Sequence, residues 1–146
     1  MYIEDMSSDV YAVELHTSVR ACSIGWLEDT IPTTGVVSPN LLAALEHFNS
    51  FHFVDEGELG YHECGLCREM AVQSRGEFWI ERDGIRYVLP RLVIHYIGDH
   101  GYRPPLEFSS VVEKFWLSDD CRKCRDGSCE RERENWDGME RFRKSP

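Results

Sequence analysis

A mixed α+β fold, with a β-hairpin packed against helices, follows from three features of this 146-residue sequence. The stretch EFWIERDGIRYVL (Glu77 to Leu89) holds two aromatic and β-branched runs around Asp83-Gly84. A type I′ hairpin turn needs positive φ at both central positions, which Gly supplies freely and Asp tolerates. Segments on either side of that hairpin carry apolar residues at helical spacing. Between the first helical segment and the second, cysteines and histidines recur at intervals that can tie hairpin to helix.

Taken in chain order, Tyr11, Val13 and Leu15 occupy alternate positions and predict a short strand with one buried face. The apolar run CSIGW (Cys22 to Trp26) leads into a Pro- and Gly-containing loop, EDTIPTTGVV. A helix is expected from Ser38, whose hydroxyl can cap free amides, with Pro39 in the first turn and Leu41, Leu42, Leu45 and Phe48 on one face. It should end near Asn49. FHFVDEGELGYHEC reads as extended chain leading to a cysteine pair, Cys64 and Cys67, with Gly65 placed for a tight knuckle.

After the hairpin, Pro90 is expected to open a helix running through Leu92, Val93, His95, Tyr96 and Ile97 to about His100. Gly101 stands where a left-handed cap belongs, and Pro104-Pro105 confirms the stop. A last helix, from about Pro105 to Trp116, gathers Leu106, Phe108, Val111, Val112 and Phe115 on one broad face. Beyond Leu117 the chain turns to SDDCRKCRDGSCERERENWDGMERFRKSP, dense in both charges and expected to bury little. The predicted organisation is an α+β domain over residues 1–117, with a finger over 60–101, and a charged, cysteine-rich appendage over 118–146.

Composition narrows the function. With 42% hydrophobic residues the chain can bury a real core without disulfide staples. No apolar run reaches the roughly 20 residues needed to cross a bilayer, and the acidic start MYIEDMSSD does not resemble a signal peptide, so a cytoplasmic protein is expected. A formal net charge of −10 repels phosphate backbones, which makes nucleic acid an unfavoured partner. The same charge would steer a basic protein toward the surface, although it also serves plain solubility.

Five of the six cysteines fall into two tight clusters, a pattern that points to metal ligation and away from a disulfide scaffold. Cys64 and Cys67, then His95 and His100, are the candidate ligands of one Zn²⁺. A knuckle presents two thiolates from one turn, the hairpin reverses the chain, and a helix returns two imidazoles toward the sulfurs. Four protein ligands close the metal to substrate, so the site is read as structural. Histidines five apart are turned by about 140° on an ideal helix, so the second must lie where the helix ends or tightens. The bland alternative makes His95 a core histidine and His100 a helix-end cation, which leaves the paired thiols unexplained.

Other readings are weaker. His62 lies close enough to the knuckle to replace His100. A redox CxxC would want a helix directly after it, and a hairpin follows instead. A zinc deaminase would need an HxE element before the cysteines, and no nucleophile elbow or phosphate-cradling glycine loop is found, so no enzyme is expected. The tail adds Cys121, Cys124 and Cys129, three thiols of a second zinc site that Cys22 or a histidine such as His16 could complete. Without a fourth ligand they would be exposed thiols open to oxidation.

From Cys22 to about Phe115 the sequence resembles a family of small, uncharacterised bacterial proteins, in the segments GWLE, HECGLC and VLPRLVIHYIGDHGYRPPLEF. That family combines an HxCxxC element with a helix of the form LIxHYIxxHxYxPPxEF, and the resemblance implies the same two-cysteine, two-histidine zinc site. It implies no activity. The functional expectation is a non-catalytic zinc-binding protein, an acidic interaction module of the kind a bacterial immunity or inhibitor protein would be. The alternative is a nucleic-acid-linked zinc-finger regulator, whose basic patch would have to come from Arg82, Arg86, Arg91, Arg122, Lys123 and Arg125.

Overall fold

The hairpin that the sequence announces is the centre of the sheet. In the computed structural model, which describes residues 2–7, 20–51, 53–54, 61–67 and 72–126, Glu77–Arg82 and Ile85–Pro90 pair antiparallel through the whole register from Glu77 with Pro90 to Arg82 with Ile85. Asp83 and Gly84 take φ of 53° and 77°, the left-handed pair that the turn demands. The predicted strand around Tyr11 lies outside the described residues, as do His16 and Cys129.

The described elements run β1 (Arg20–Ser23), α1 (Pro39–Phe51), β2 (Phe53–Val54), β3 (Tyr61–Glu63), β4 (Gln73–Arg75), β5 (Glu77–Arg82), β6 (Ile85–Pro90), α2 (Val93–His100), α3 (Leu106–Leu117) and α4 (Arg122–Asp126). One sheet has the order β1-β6-β5-β2, with β1 parallel to β6 and the other neighbours antiparallel. β3 and β4 form a separate two-stranded ribbon. The residues Tyr2 to Ser7 run beside β1 and its continuation, through amide bonds from Ile3 to the Trp26 carbonyl and from Met6 to the Ser23 carbonyl, both 2.8 Å.

Alternation along β5 and β6 decides where the core sits. Phe78 lies opposite Leu89 and Ile80 opposite Tyr87, so all four share one face, and all are buried. α1 covers that face with Leu41, Ala44, Leu45 and Phe48, and α3 with Phe108, Val112 and Trp116. The helices also meet each other, Phe48 stacking on Phe115 at 5.8 Å, while Phe108 meets Tyr87 edge-on at 5.1 Å. Burying each such side chain contributes about 1.5–3 kcal/mol.

Local signals set the helix ends. Ser38 caps α1, its hydroxyl accepting the Leu41 amide at 3.1 Å, and the helix runs past Asn49 to Phe51. Pro90 does not open α2. It closes β6 opposite Glu77, and the helix starts at Val93, because the fixed φ of proline suits a strand end as well as a helix start. After Leu117 a 3-10 turn (Asp119–Cys121) and α4 follow, in which Cys121 and Cys124 are buried at 0% and 5% exposure while the charged residues around them are exposed. Among the described residues, no helix is long and apolar enough to cross a membrane.

Candidate metal centre

The cysteine knuckle is built by the small ribbon. β3 and β4 pair from Tyr61 with Arg75 to Glu63 with Gln73, and the Cys64 amide extends the ladder to the Val72 carbonyl at 2.8 Å. The chain then folds back on itself, the Cys67 amide reaching the Cys64 carbonyl at 3.4 Å. Gly65 is needed for room, since its φ is not positive. A Cβ there would stand 2.3 Å from the Glu28 carbonyl oxygen, closer than real atoms approach.

That contact explains the GWLE segment as the bed on which the site rests. Gly25 has φ +77°, and a Cβ on it would meet Val93 Cγ2 of α2 at 2.7 Å. Trp26 donates its indole N–H to the Val88 carbonyl at 3.0 Å, and the Leu27 carbonyl accepts the Tyr96 hydroxyl at 3.0 Å. Glu28 abuts the knuckle. Four consecutive residues therefore hold the sheet, α2 and the cysteine turn together.

On α2, Val93, Tyr96 and Ile97 are buried, which leaves His95 and His100 directed at the knuckle. The end of the helix solves the spacing of five. The Gly101 amide (φ 69°) and the Tyr102 amide both donate to the Tyr96 carbonyl, so the closing turn is wider than α-helical, not tighter. The two imidazole rings stand nearly perpendicular, 86° apart, with centroids at 4.8 Å.

The four candidate ligands converge. Cys67 Sγ lies 3.2 Å from His95 Nε2 and 3.4 Å from His100 Nε2, Cys64 Sγ lies 3.4 Å from His100 Nε2, and the two Nε2 atoms are 3.2 Å apart. All four ligand atoms fall within 4.8 Å of one another. A tetrahedral cation at about 2.0 Å from nitrogen and about 2.3 Å from sulfur requires edges of about 3.3 Å between nitrogens and about 3.5 Å between nitrogen and sulfur. The nitrogen–nitrogen separation and three of the four nitrogen–sulfur separations match those edges, so Cys64, Cys67, His95 and His100 could hold a metal ion.

One further feature suits a cation. His95 Nδ1 pairs with Asp99 Oδ2 at 2.8 Å, one helical turn along, which fixes the ring and directs Nε2 inward. Sequence reading missed Asp99, although a carboxylate four residues after a ligand histidine is the available signal. Burial, and then the Cys64 sulfur beside it, raise the Cys67 thiol above its ordinary value, a balance that a bound dication would reverse. Cys64 itself is 3% exposed.

Among the described side chains, the remaining candidates are not grouped with this centre. His62 sits on β3, and its side chain lies outside those described. Cys22 Sγ rests 3.8 Å from Met6 Sδ. Among the described residues, Cys22, Cys121 and Cys124 form no joint ligand group, and Cys129, the remaining member of the expected second set, is outside the described residues.

Residues 1–113 match the family model described as Domain of unknown function (DUF7919). Comparison with curated proteins and with solved structures returned no match. The matched stretch contains all four converging residues and the segment on which they rest, and ends within α3. The chain belongs to the DUF7919 family, an uncharacterised one, in keeping with the expectation of an uncharacterised family.

Proposed function

We propose that this chain is a non-catalytic zinc-binding protein in which Cys64, Cys67, His95 and His100 hold a structural Zn²⁺ and the acidic surface engages a protein partner. The observation that carries the metal reading is the set of nitrogen and sulfur separations between 3.2 and 3.4 Å, which suits one tetrahedral ion. Two thiolates and two imidazoles are donors for Zn²⁺ and not for Mg²⁺ or Ca²⁺, which take oxygen. Four protein ligands leave no position for substrate, which supports a structural ion over a catalytic one.

The test is zinc stoichiometry by native mass spectrometry together with thermal melts of chelator-treated and zinc-loaded protein. One tightly held ion and a strongly raised melting temperature are expected. A metal-free protein that melts no lower than the loaded one would end the structural reading.

The interaction half of the proposal is supported by the formal charge of −10. A basic protein, of the kind an immunity or inhibitor protein covers, is the fitting partner. Pull-down at low and moderate salt should return a defined protein that salt releases, and recovery of the chain alone at low salt would refute it. Three of the arginines that a nucleic-acid reading needs are already engaged. Arg82 pairs with Asp120 at 3.3 Å and lies over Phe115, Arg86 pairs with Glu81 at 2.7 Å and lies over Trp79, and Arg91 lies over Phe53.

A further inference from the structure

The two sulfurs of the knuckle are not equally sheltered. Among the described residues, Cys22, Cys64, Cys121 and Cys124 are buried, and Cys67 alone of the cysteines is partly exposed. Cys64 is 3% exposed and continues the β3–β4 ladder, its amide donating to the Val72 carbonyl at 2.8 Å. Cys67 closes the far end of the turn, with its amide on the Cys64 carbonyl at 3.4 Å. An ion held only for stability is served better by two buried sulfurs, because oxidation of a thiolate follows its exposure.

The exposed sulfur also has the neighbours that an oxidation step needs. Cys67 Sγ stands 3.2 Å from His95 Nε2 and 3.4 Å from His100 Nε2, and as their fellow ligand on a cation it is a thiolate. Cys64 Sγ lies within 4.8 Å of it, three residues back in the same turn. Closing that gap to the roughly 2.0 Å of a disulfide is a movement within one turn of chain, with no second segment to bring up.

We propose that the zinc centre is peroxide-sensitive: Cys67 is oxidised first, Cys64 closes a disulfide onto it, and the ion is released. The inference rests on the zinc reading of the site and adds its regulation. Hydrogen peroxide is the oxidant. The Cys67 thiolate attacks one peroxide oxygen, the O–O bond breaks, and the departing hydroxide takes a proton from solvent to become water. The Cys64 thiolate then attacks the Cys67 sulfenic sulfur, forming the S–S bond and expelling a second hydroxide, which is protonated in turn. One peroxide and two protons are consumed, two waters and one disulfide form, and the two electrons lost by sulfur are gained by the peroxide oxygens. The disulfide has no thiolate left to offer, and His95 and His100 alone do not make a four-ligand site, so Zn²⁺ leaves. Rapid closure by Cys64 also keeps Cys67 from going on to sulfinic acid, and so keeps the step reversible by a thiol reductant.

The experiment treats zinc-loaded, full-length protein with hydrogen peroxide and reads the released metal with a chromophoric chelator. Peptide mass mapping after alkylation of the remaining thiols then locates any disulfide. The expected result is loss of all the zinc from the centre, a Cys64–Cys67 disulfide with Cys22, Cys121 and Cys124 still reduced, and recovery of zinc after dithiothreitol. Zinc retained in excess peroxide overturns the proposal. Zinc lost with Cys67 as sulfinic or sulfonic acid and Cys64 unpaired overturns it too, since that is damage without a switch. Cys67→His keeps four metal donors and cannot form the disulfide, so it should hold its zinc under the same treatment, and loss at the native rate counts against the proposal. The measurements on the native sequence stand where that variant does not fold. Untreated protein that binds no zinc would instead sink the metal reading itself, so the two failures are distinguishable.

Discussion

The sheet half of the molecule and the knuckle half are held together by different physics. In the first, Phe78, Ile80, Tyr87 and Leu89 on one face of β5 and β6 meet α1 and α3 through apolar surface alone. In the second, β3 and β4 are short, the knuckle offers Cys64, Leu66 and Cys67, and α2 supplies three buried side chains. Among the described residues, the ribbon and knuckle bury few apolar side chains, and α2 shares the core cluster of the sheet. The difference teaches that the ribbon and α2 depend on converging ligands and close backbone approaches, where the sheet depends on area.

The largest effect should come from removing a ligand. Cys64→Ala or His95→Ala is expected to abolish zinc binding, because metal affinity in such sites, about 10 kcal/mol or more in zinc-finger peptides, is folding free energy. Even if only several kcal/mol of it reaches the native chain, the melting temperature falls by roughly 10–20 °C. Inductively coupled plasma analysis and a thermal melt of the same sample check both halves. Wild-type stability in a zinc-free variant would mean that the knuckle half stands without its ion.

Truncating the sheet core should be nearly as damaging and leave the metal alone. Phe78→Ala removes a fully buried ring and should cost about 3–5 kcal/mol in denaturant unfolding. Zinc stoichiometry is expected to stay at the wild-type value. Loss of zinc along with stability would show the two halves to be one cooperative unit and erase the contrast.

Smaller changes probe the knuckle's fit. Gly65→Ala places a methyl group against the Glu28 carbonyl, an overpacking that should cost about 1–3 kcal/mol and weaken zinc affinity with it. Asp99→Ala leaves all four ligands in place and removes only the carboxylate on His95 Nδ1, so affinity should fall about 10–100-fold, as measured by competition with a chromophoric chelator. A fall in affinity without a fall in core stability distinguishes ring positioning from general damage.

What was legible in the sequence follows the same division. Asp83-Gly84 announced the hairpin because a turn with two positive φ values has few substitutes, and Ser38-Pro39 announced α1 for a similar local reason. The four converging cysteines and histidines were readable because a metal-site pattern restricts both residue type and spacing. Pro90 misled because its geometry serves a strand end and a helix start alike. Gly65 was read as a turn glycine, whereas its reason is a carbonyl from a segment far away in sequence. The parallel pairing of β1 with β6, and the burial of Cys121 and Cys124 in a charged stretch, are set by tertiary contacts that no local pattern displays.

The gentlest test concerns the strand-like N-terminal residues that tie the two halves. Asp5 accepts the Gly25 amide at 2.8 Å and the Tyr102 hydroxyl at 2.7 Å, linking the start of the chain to the GWLE bed and to the residue that follows the α2 cap. Burial raises its carboxyl above the ordinary value, the bonds from Gly25 and Tyr102 oppose that rise, and Glu4 adds to it. Burial, and then the Asp5 charge, push Tyr102 upward, so it stays protonated and donates. A carboxyl whose folded pKa exceeds its unfolded one binds protons more readily when folded, so stability falls as pH rises from the ordinary carboxylate range through the raised value, and is flat above it. Asp5→Asn keeps the Gly25 bond, should change stability at neutral pH by no more than about 1 kcal/mol, and should flatten that acidic slope. Stability curves measured against pH with zinc saturating would show it, and an unchanged slope in the variant would mean that the Asp5 carboxyl titrates alike in the folded and unfolded chain.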